Sequence, residues 1–344
     1  RIIDPSRGVD EIGSLFISGE RFLEQRQEGA ELQVVDATGR WVVPGLIDAH
    51  VHLRDPGQEH KEGMESGLRA AAKGGFTAVL PMPNTSPAND SAEITKGMIE
   101  RARQLGGTAV YPMAAVTRGR GGKQLADLAE LKSAGAVAFS DDGSAVVDDT
   151  LMERALELCR QLDMPLSQHA EDPELSGDGV IHDGQVSRAL GVPGIPAASE
   201  ERIVARDIEL VKKTGARLHV SHISTKGAVS LVRDAKRQGL PVTAEVTPHH
   251  LHLTDAAVSA TGTMAKVNPP LRTADDVQAC RNGLIDGTID IVATDHAPHT
   301  VQDKLGDLRS AAFGMVGLEI AVPLMLKLLA EGGLTPMRMI EAMS

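Results

Sequence analysis

"GLIDAHVHLRDPG", Gly45–Gly57, is where the chain changes character. A run of aliphatic residues ends in His50-x-His52-x-Arg54, and the turn dipeptide Pro56-Gly57 follows at once. Upstream, residues 1–43 read as short β segments with turns: "RIIDPSRG", "SLFISGE" and "LQVVDATGRWVV". Pro44-Gly45 punctuates them. Downstream, short aliphatic or β-branched runs alternate with helical patterns. The runs are "GLIDAHVHL", "FTAVLPM", "TAVYPMAAV", "AVAFSDD", "MPLSQHAE", "ARLHVSHIS", "PVTAEVTPHH" and "DIVATDHAPH". Between them lie amphipathic stretches such as "DDTLMERALELCRQL", and helix-ending glycines (Gly75, Gly135, Gly215, Gly239) recur just before the next run. Strands alternating with helices make a parallel sheet, and eight of them close a barrel. The expected fold is therefore α/β: a (β/α)8 TIM barrel over residues 44–335. The length of 344 residues accommodates a barrel of about 250 plus an appendage.

Composition narrows the function. Apolar residues make up 42% of the chain but aromatics only 2%, so the core must be aliphatic and filled out by methionine. A formal charge of −12 with so few aromatic rings argues against nucleic acid, which needs basic surface and stacking platforms. Two cysteines, Cys159 and Cys280, form no disulfide framework and fit a reducing cytosol. There is neither a signal-peptide pattern nor a long apolar run, so a soluble, cytoplasmic protein with no membrane partner is expected.

In such a barrel chemistry sits at the carboxyl ends of the strands. His50 and His52 end the first run, Asp141 and Asp142 the fourth, His169 the fifth, His222 the sixth and Asp295 the eighth. The strand period of two turns His50 and His52 to one side. Four imidazoles and two carboxylates thus converge on one mouth. That is ligation of the zinc type, and more ligands than one tetrahedral ion takes, so two metals are implied. Arg54 follows on the same face, where it can fork onto a carboxylate. Asn84, His299 and Asn268 lie at other strand ends or adjoining loops and could complete an anion pocket. Strand parity alone leaves Asp141 and Asp142 as alternatives. By the same parity His219 faces away from His222, and the cluster His249, His250 and His252 reads as packing or as contacts that back the ligands rather than as ligands. The long segments 172–198 and 300–312 read as an excursion and as a loop able to close over a ligand.

"HVHLRDPG", "GGFTAVLPMPNT", "AFSDDGS", "QHAED", "HVSHIST", "AEVTPHHL", "NPPLR", "ATDHAPH" and "FGMVGLE" together resemble the class I dihydroorotases of the amidohydrolase superfamily, from end to end of the chain. The resemblance implies reversible cyclisation of N-carbamoyl-L-aspartate to (S)-dihydroorotate in pyrimidine biosynthesis, with two Zn²⁺ per subunit. His50, His52 and Asp295 would hold one ion, His169 and His222 the other, and Asp142 would bridge. Asp295 would be the catalytic proton shuttle. His52, Arg54, Asn84, Asn268, His299, Phe313 and Gly314 would bind an anionic small-molecule substrate. The resemblance also implies a small β-sandwich side domain built from the chain termini. Residues 1–43 would be its amino-terminal part, and residues 336–344 would begin a carboxyl-terminal segment whose remainder is missing. A homo-oligomer, a dimer, is expected, and the family includes complexes with aspartate transcarbamoylase. Two alternatives stand beside this. One is another cyclic amidase of hydantoinase, dihydropyrimidinase or allantoinase type; those relatives usually bridge their metals with a carbamylated lysine where this chain reads "FSDDG". The other is a non-catalytic scaffold homologue for aspartate transcarbamoylase, which would have lost metal ligands that this chain keeps.

Overall fold

In a computed structural model of the chain, residues 1–25, 31 and 33–344 are described. Each of the eight runs contains strand. The first to eighth strands are Leu46–Val51, Phe76–Pro81, Ala109–Val110 with Met113–Ala114, Ala138–Phe139, Leu166–Gln168, Leu218–Val220, Val242–Val246 and Ile291–Val292. The third falls into two pieces at Pro112, which has no N–H for the ladder. Tyr111 still donates to the Val79 carbonyl at 3.0 Å, and the Pro112 carbonyl accepts from Val137 N at 3.1 Å, so each piece keeps its own neighbour.

Pairing is parallel throughout the series: first with second, second with third, and onward to the eighth. The eighth also meets the first. Val51 and His296 form a parallel bridge, and His52 N donates to the His296 carbonyl at 2.8 Å. Asp48 adds a side-chain tie, its carboxylate accepting from Thr294 N at 3.0 Å and from Thr294 Oγ1 at 2.6 Å.

A helix follows each strand: Met64–Gly74, Ala92–Leu105, Leu128–Ala134, Asp149–Gln161, Ala197–Thr214, Lys226–Arg237, Ala274–Ile285 and Ala321–Glu331. Their starts are fixed locally, since Ser91, Asp127, Asp148, Thr225 and Thr273 each accept a hydrogen bond from a first-turn N–H. Gly75 and Gly135 end two of them with φ of 91° and 110°, a conformation that side chains with a Cβ resist. Each helix turns its apolar stripe inward, as Val229, Val232 and Ala235 do on Lys226–Arg237. The main core is aliphatic, with Met64, Met98, Met152, Met325 and Met343 filling space that aromatics would otherwise take. The helix Pro336–Glu341 joins the same core, and Ile47 N and Val292 N donate to the carbonyls of Met343 and Ala342 just beyond it.

The excursion after the fifth strand holds two short helices and a parallel strand pair, Ile181–His182 with Gly194–Ile195. Its apolar residues make a separate small cluster with Val258, Val267 and Leu271, onto which Leu308 of the last loop packs. At the amino terminus, Ile2–Asp4 pairs with Val9–Glu11 and Phe16–Ser18 with Arg21–Leu23, both antiparallel. The expected strand "LQVVDATGRWVV" does not form over its described part. Only Val42 bridges, to Ile2, while Val34 and Val35 are at least 80% exposed. A strand needs a ladder partner, and beyond the Val42 bridge no pairing is found for this stretch among the described residues. Leu32 lies outside the described residues. Among the described residues no helix is long and apolar enough to cross a membrane.

Candidate active site

The strands deliver their last residues to one rim. His50 projects from the first strand and is fully buried; its Nδ1 lies 2.6 Å from Glu245 Oε1, which leaves Nε2 facing Asp142 Oδ1 and Asp295 Oδ1, each at 3.4 Å. His52 is held the same way from the other side. Its Nδ1 meets Asn84 Oδ1 at 2.8 Å, and its Nε2 points at Asp295 Oδ1 at 2.9 Å. On the fifth strand His169 is reversed. Its Nε2 faces Glu171 Oε2 at 3.2 Å, so Nδ1 turns inward, 2.9 Å from His222 Nε2 and 3.6 Å from Asp142 Oδ1. A carboxylate or amide oxygen on the outer nitrogen fixes which nitrogen keeps its lone pair for the centre.

The two neighbouring aspartates have opposite fates. Asp141 accepts from Val116 N at 2.9 Å, from Thr117 N at 3.0 Å and from the Thr117 hydroxyl, so its carboxylate is spent on the chain after the third strand. Asp142 stands 3.4–3.6 Å from ring nitrogens of His50, His52, His169 and His222. Burial alone would raise the Asp142 carboxyl; the facing His50, His169 and His222 outweigh it and hold it well below the usual range. Asp295 is lowered in the same manner, against burial, by His50 and His52.

Two residues reach the rim by backbone conformation rather than by parity. His222 has φ of 29° and Asp295 φ of 47°, so each turns inward where a regular strand would point it elsewhere. His219 departs from its expected outward orientation: it lies beneath the rim, with Nε2 3.1 Å from Glu245 Oε2 and Nδ1 2.8 Å from Thr243 Oγ1. Glu245 is the residue that the sequence pattern missed. The seventh strand adds no residue to the ligand groups, yet this fully buried carboxylate holds His50, His219 and the backbone N–H of His222 from behind. A glutamate in the middle of an otherwise aliphatic strand was the available signal. His250 is buried and bonded to Thr247 and the Pro269 carbonyl, His249 is buried with its Nε2 unpartnered among the described residues, and neither joins the ligand groups.

The arrangement fits divalent ions. His50, His52 and Asp142, then His50, His222 and Asp295, then Asp142, His169 and His222 each offer ligand atoms within 4.8 Å of one another. Among the described residues, His50 Nε2 and Asp142 Oδ1 are buried without a hydrogen-bond partner. Buried polar atoms left in that state cost stability unless something else meets them. Two imidazole nitrogens facing each other at 2.9 Å, as in His169 and His222, are likewise reconciled by a shared cation.

Above this cluster opens a cavity of about 220 Å³ whose wall includes His52, Arg54, Asn84, Asp142, His169, His222, Asn268, Asp295, His299, Phe313 and Gly314. Of the residues expected to hold metal or substrate, all but the fully buried His50 are in this wall. Arg54 has φ of 59° and is anchored by Nε donating to the Pro298 carbonyl at 3.1 Å. His299 gives its Nε2 proton to the Phe313 carbonyl at 2.7 Å, and burial, then Arg54 and Lys61, push its pKa down to about 4, so it is neutral in ordinary buffer. Asn268 donates to Glu171 at 2.6 Å, and burial of Glu171 is overcome by its contact with His169, holding that carboxyl at about 2.

The fold is that of cyclic amidohydrolases. An L-hydantoinase (dihydropyrimidinase) from Arthrobacter aurescens superposes over 100% of this chain and 79% of its own at TM-score 0.85 and 24% identity. A D-hydantoinase (dihydropyrimidinase) from Thermus sp. covers 96% of this chain and 76% of its own at TM-score 0.77 and 25% identity. Sequence narrows the class. A family profile described as dihydro-orotase-like matches residues 39–228. A dihydroorotase from Anaeromyxobacter dehalogenans (strain 2CP-C) is 52% identical over 100% of this chain and 81% of its own length. One from Syntrophotalea carbinolica is 50% identical over 97% and 79%. The chain belongs to the dihydroorotase-like family.

Proposed function

We propose that this chain is a zinc-dependent dihydroorotase, interconverting N-carbamoyl-L-aspartate and (S)-dihydroorotate, and that its eight parallel strands close into a (β/α)8 barrel. The bridge between Val51 and His296 supports closure. The reading of the site rests on one observation: a buried cluster of imidazoles and carboxylates with orphaned lone pairs shares its cavity with Arg54, Asn84 and His299. One zinc ion would take His50, His52 and Asp295, the other His169 and His222, with Asp142 between them. When bound, the ions supply Lewis acidity toward water and toward the ring carbonyl.

The protein's own groups do the rest. Arg54 and Asn84 donate to the substrate carboxylate, and His299, its one N–H held by the Phe313 carbonyl, borders it. The Asn84 oxygen is taken by His52 and one amide N–H reaches Asp142 Oδ2 at 3.4 Å, which leaves the other N–H for the substrate. Asn268 and the backbone of Phe313 and Gly314 border the ring. In ring opening Asp295 takes the proton of the attacking water and passes it to the departing ring nitrogen. In synthesis it runs the reverse. A carboxylate pocket and an aspartate at position 142, where hydantoinase-type relatives usually carry a modified lysine, favour dihydroorotate over a plain hydantoin. Residues 1–43 belong, on this reading, to a small β domain beside the barrel, and the enzyme works as a cytoplasmic homo-oligomer on a small anionic substrate.

The test is loss of dihydroorotate absorbance on ring opening, beside zinc content. Wild-type protein should turn over dihydroorotate, and Asp295→Asn should lower turnover by about 10³-fold or more. Opening of unsubstituted hydantoin with no action on dihydroorotate would replace this reading by the hydantoinase one.

A further inference from the structure

Two lysines are buried beneath the loop that lines one side of the cavity, and nothing in the chemistry above uses them. Lys304, at the end of the short helix Val301–Lys304, is 8% exposed; Lys266, just before Asn268, is 2% exposed. Neither has a carboxylate in contact among the described residues. All three donors of the Lys304 ammonium go to backbone carbonyls: Lys266 at 3.0 Å, Ala312 at 2.9 Å and Gly314 at 2.8 Å. Lys266 Nζ donates to the Ala311 carbonyl at 2.6 Å and sits 4.1 Å from the centre of the Phe313 ring, a cation–π distance. Gly314 N returns a bond to the Lys266 carbonyl at 3.0 Å.

Burying an ammonium is costly unless every proton is received. Burial, with Lys266 adding to it, brings the Lys304 pKa down to about 8. A fully neutral side chain would serve if the site only needed filling. What the charge does here is draw carbonyls of residues on both sides of Phe313 onto one point. The Phe313 carbonyl is thereby presented to His299 Nε2 at 2.7 Å. The wall also runs close against the strand end, since a Cβ at Gly314 would stand 2.7 Å from the Ala297 carbonyl. From Lys304 to His299 the contacts are continuous.

We propose that Lys304 is a positioning residue for substrate capture, fixing the Ala312–Gly314 backbone, and through it Phe313 and His299, as a rigid wall built before substrate arrives. The inference deepens the function proposed above and rests on it. It makes the loop after the eighth strand a fixed element rather than a lid.

Lys304→Met in the zinc-loaded enzyme should raise the KM for dihydroorotate at least about tenfold and leave kcat within about threefold. Zinc content should be unchanged, and amide exchange over residues 311–314 should be faster than in wild type. If that variant does not accumulate folded, Lys304→Gln offers amide donors for two of the three carbonyls and should show the same split with a KM rise of at least about threefold. An unchanged KM, or a fall in kcat with KM constant, overturns the proposal. So does unaltered exchange at 311–314. A wild type inactive on dihydroorotate would instead count against the function, leaving the exchange measurement to judge the wall.

Discussion

The rim of the sheet and the first 43 residues invert the usual distribution of side chains in opposite directions. At the rim, His50, Asp142, His169, His222, Glu245 and Asp295 are all at most 5% exposed. In the amino-terminal segment Ile12, Ile17, Phe22, Val34 and Val35 are at least 65% exposed. Apolar surface in water is common and cheap, whereas polar atoms out of water are kept only where each has a partner or a task. The contrast teaches where selection on chemistry and selection on packing act. Changes at the rim should alter activity and metal content out of proportion to stability, and changes at the exposed apolar positions should alter neither.

The sharpest break between the two would come from the adjacent aspartates. Asp142→Asn should cost at least about 10²-fold in turnover with loss of bound zinc. Asp141→Asn should keep its zinc and lose about 1–3 kcal/mol of stability, because the amide keeps one oxygen for the two backbone N–H groups but turns a donor toward the Thr117 hydroxyl that the carboxylate accepts from. Zinc titration and thermal unfolding of both variants decide it. Equal zinc loss in both would erase the distinction drawn from their geometry. A middle-sized effect is expected at Glu245→Gln, which removes the charge behind His50 and should weaken zinc binding about 10- to 100-fold at unchanged stoichiometry. Unaltered affinity in a chelator competition would make Glu245 a packing residue. The smallest effect belongs to the other region: Phe22→Ser should move stability by no more than about 0.5 kcal/mol. A larger loss in a denaturant titration would mean that the exposed apolar side chains are covered in solution.

Much of the architecture was legible because it is local. The eight runs, the N-caps and the glycine stops place strands and helices without reference to the rest of the chain. The rim could be read because His50, Asp142, His169 and Asp295 all fall at the ends of those runs. Legibility failed where orientation depends on distant partners. Parity misdirected His219, since His222 reaches inward through a left-handed backbone rather than through strand alternation. Glu245 was passed over because its role exists only once the first, sixth and seventh strands stand side by side. The pair Asp141 and Asp142 was undecidable from alternation alone; Thr117, 24 residues upstream of Asp141, captures the one and leaves the other free. The stretch "LQVVDATGRWVV" has strand-forming residues, but among the described residues only Val42 finds a partner, Ile2.

The tie between Asp48 and Thr294 spans 246 residues of chain. Beside it sit His50 and His52 on one flank and Asp295 on the other, so half of the ligand cluster exists only after the two ends of the sheet have been fastened. A nascent chain that stopped short of the eighth strand could gather Asp142, His169 and His222 but could not complete the set. Completion of the ligand cluster therefore waits on completion of the sheet, and the last contacts to form in sequence order are the ones that close the rim.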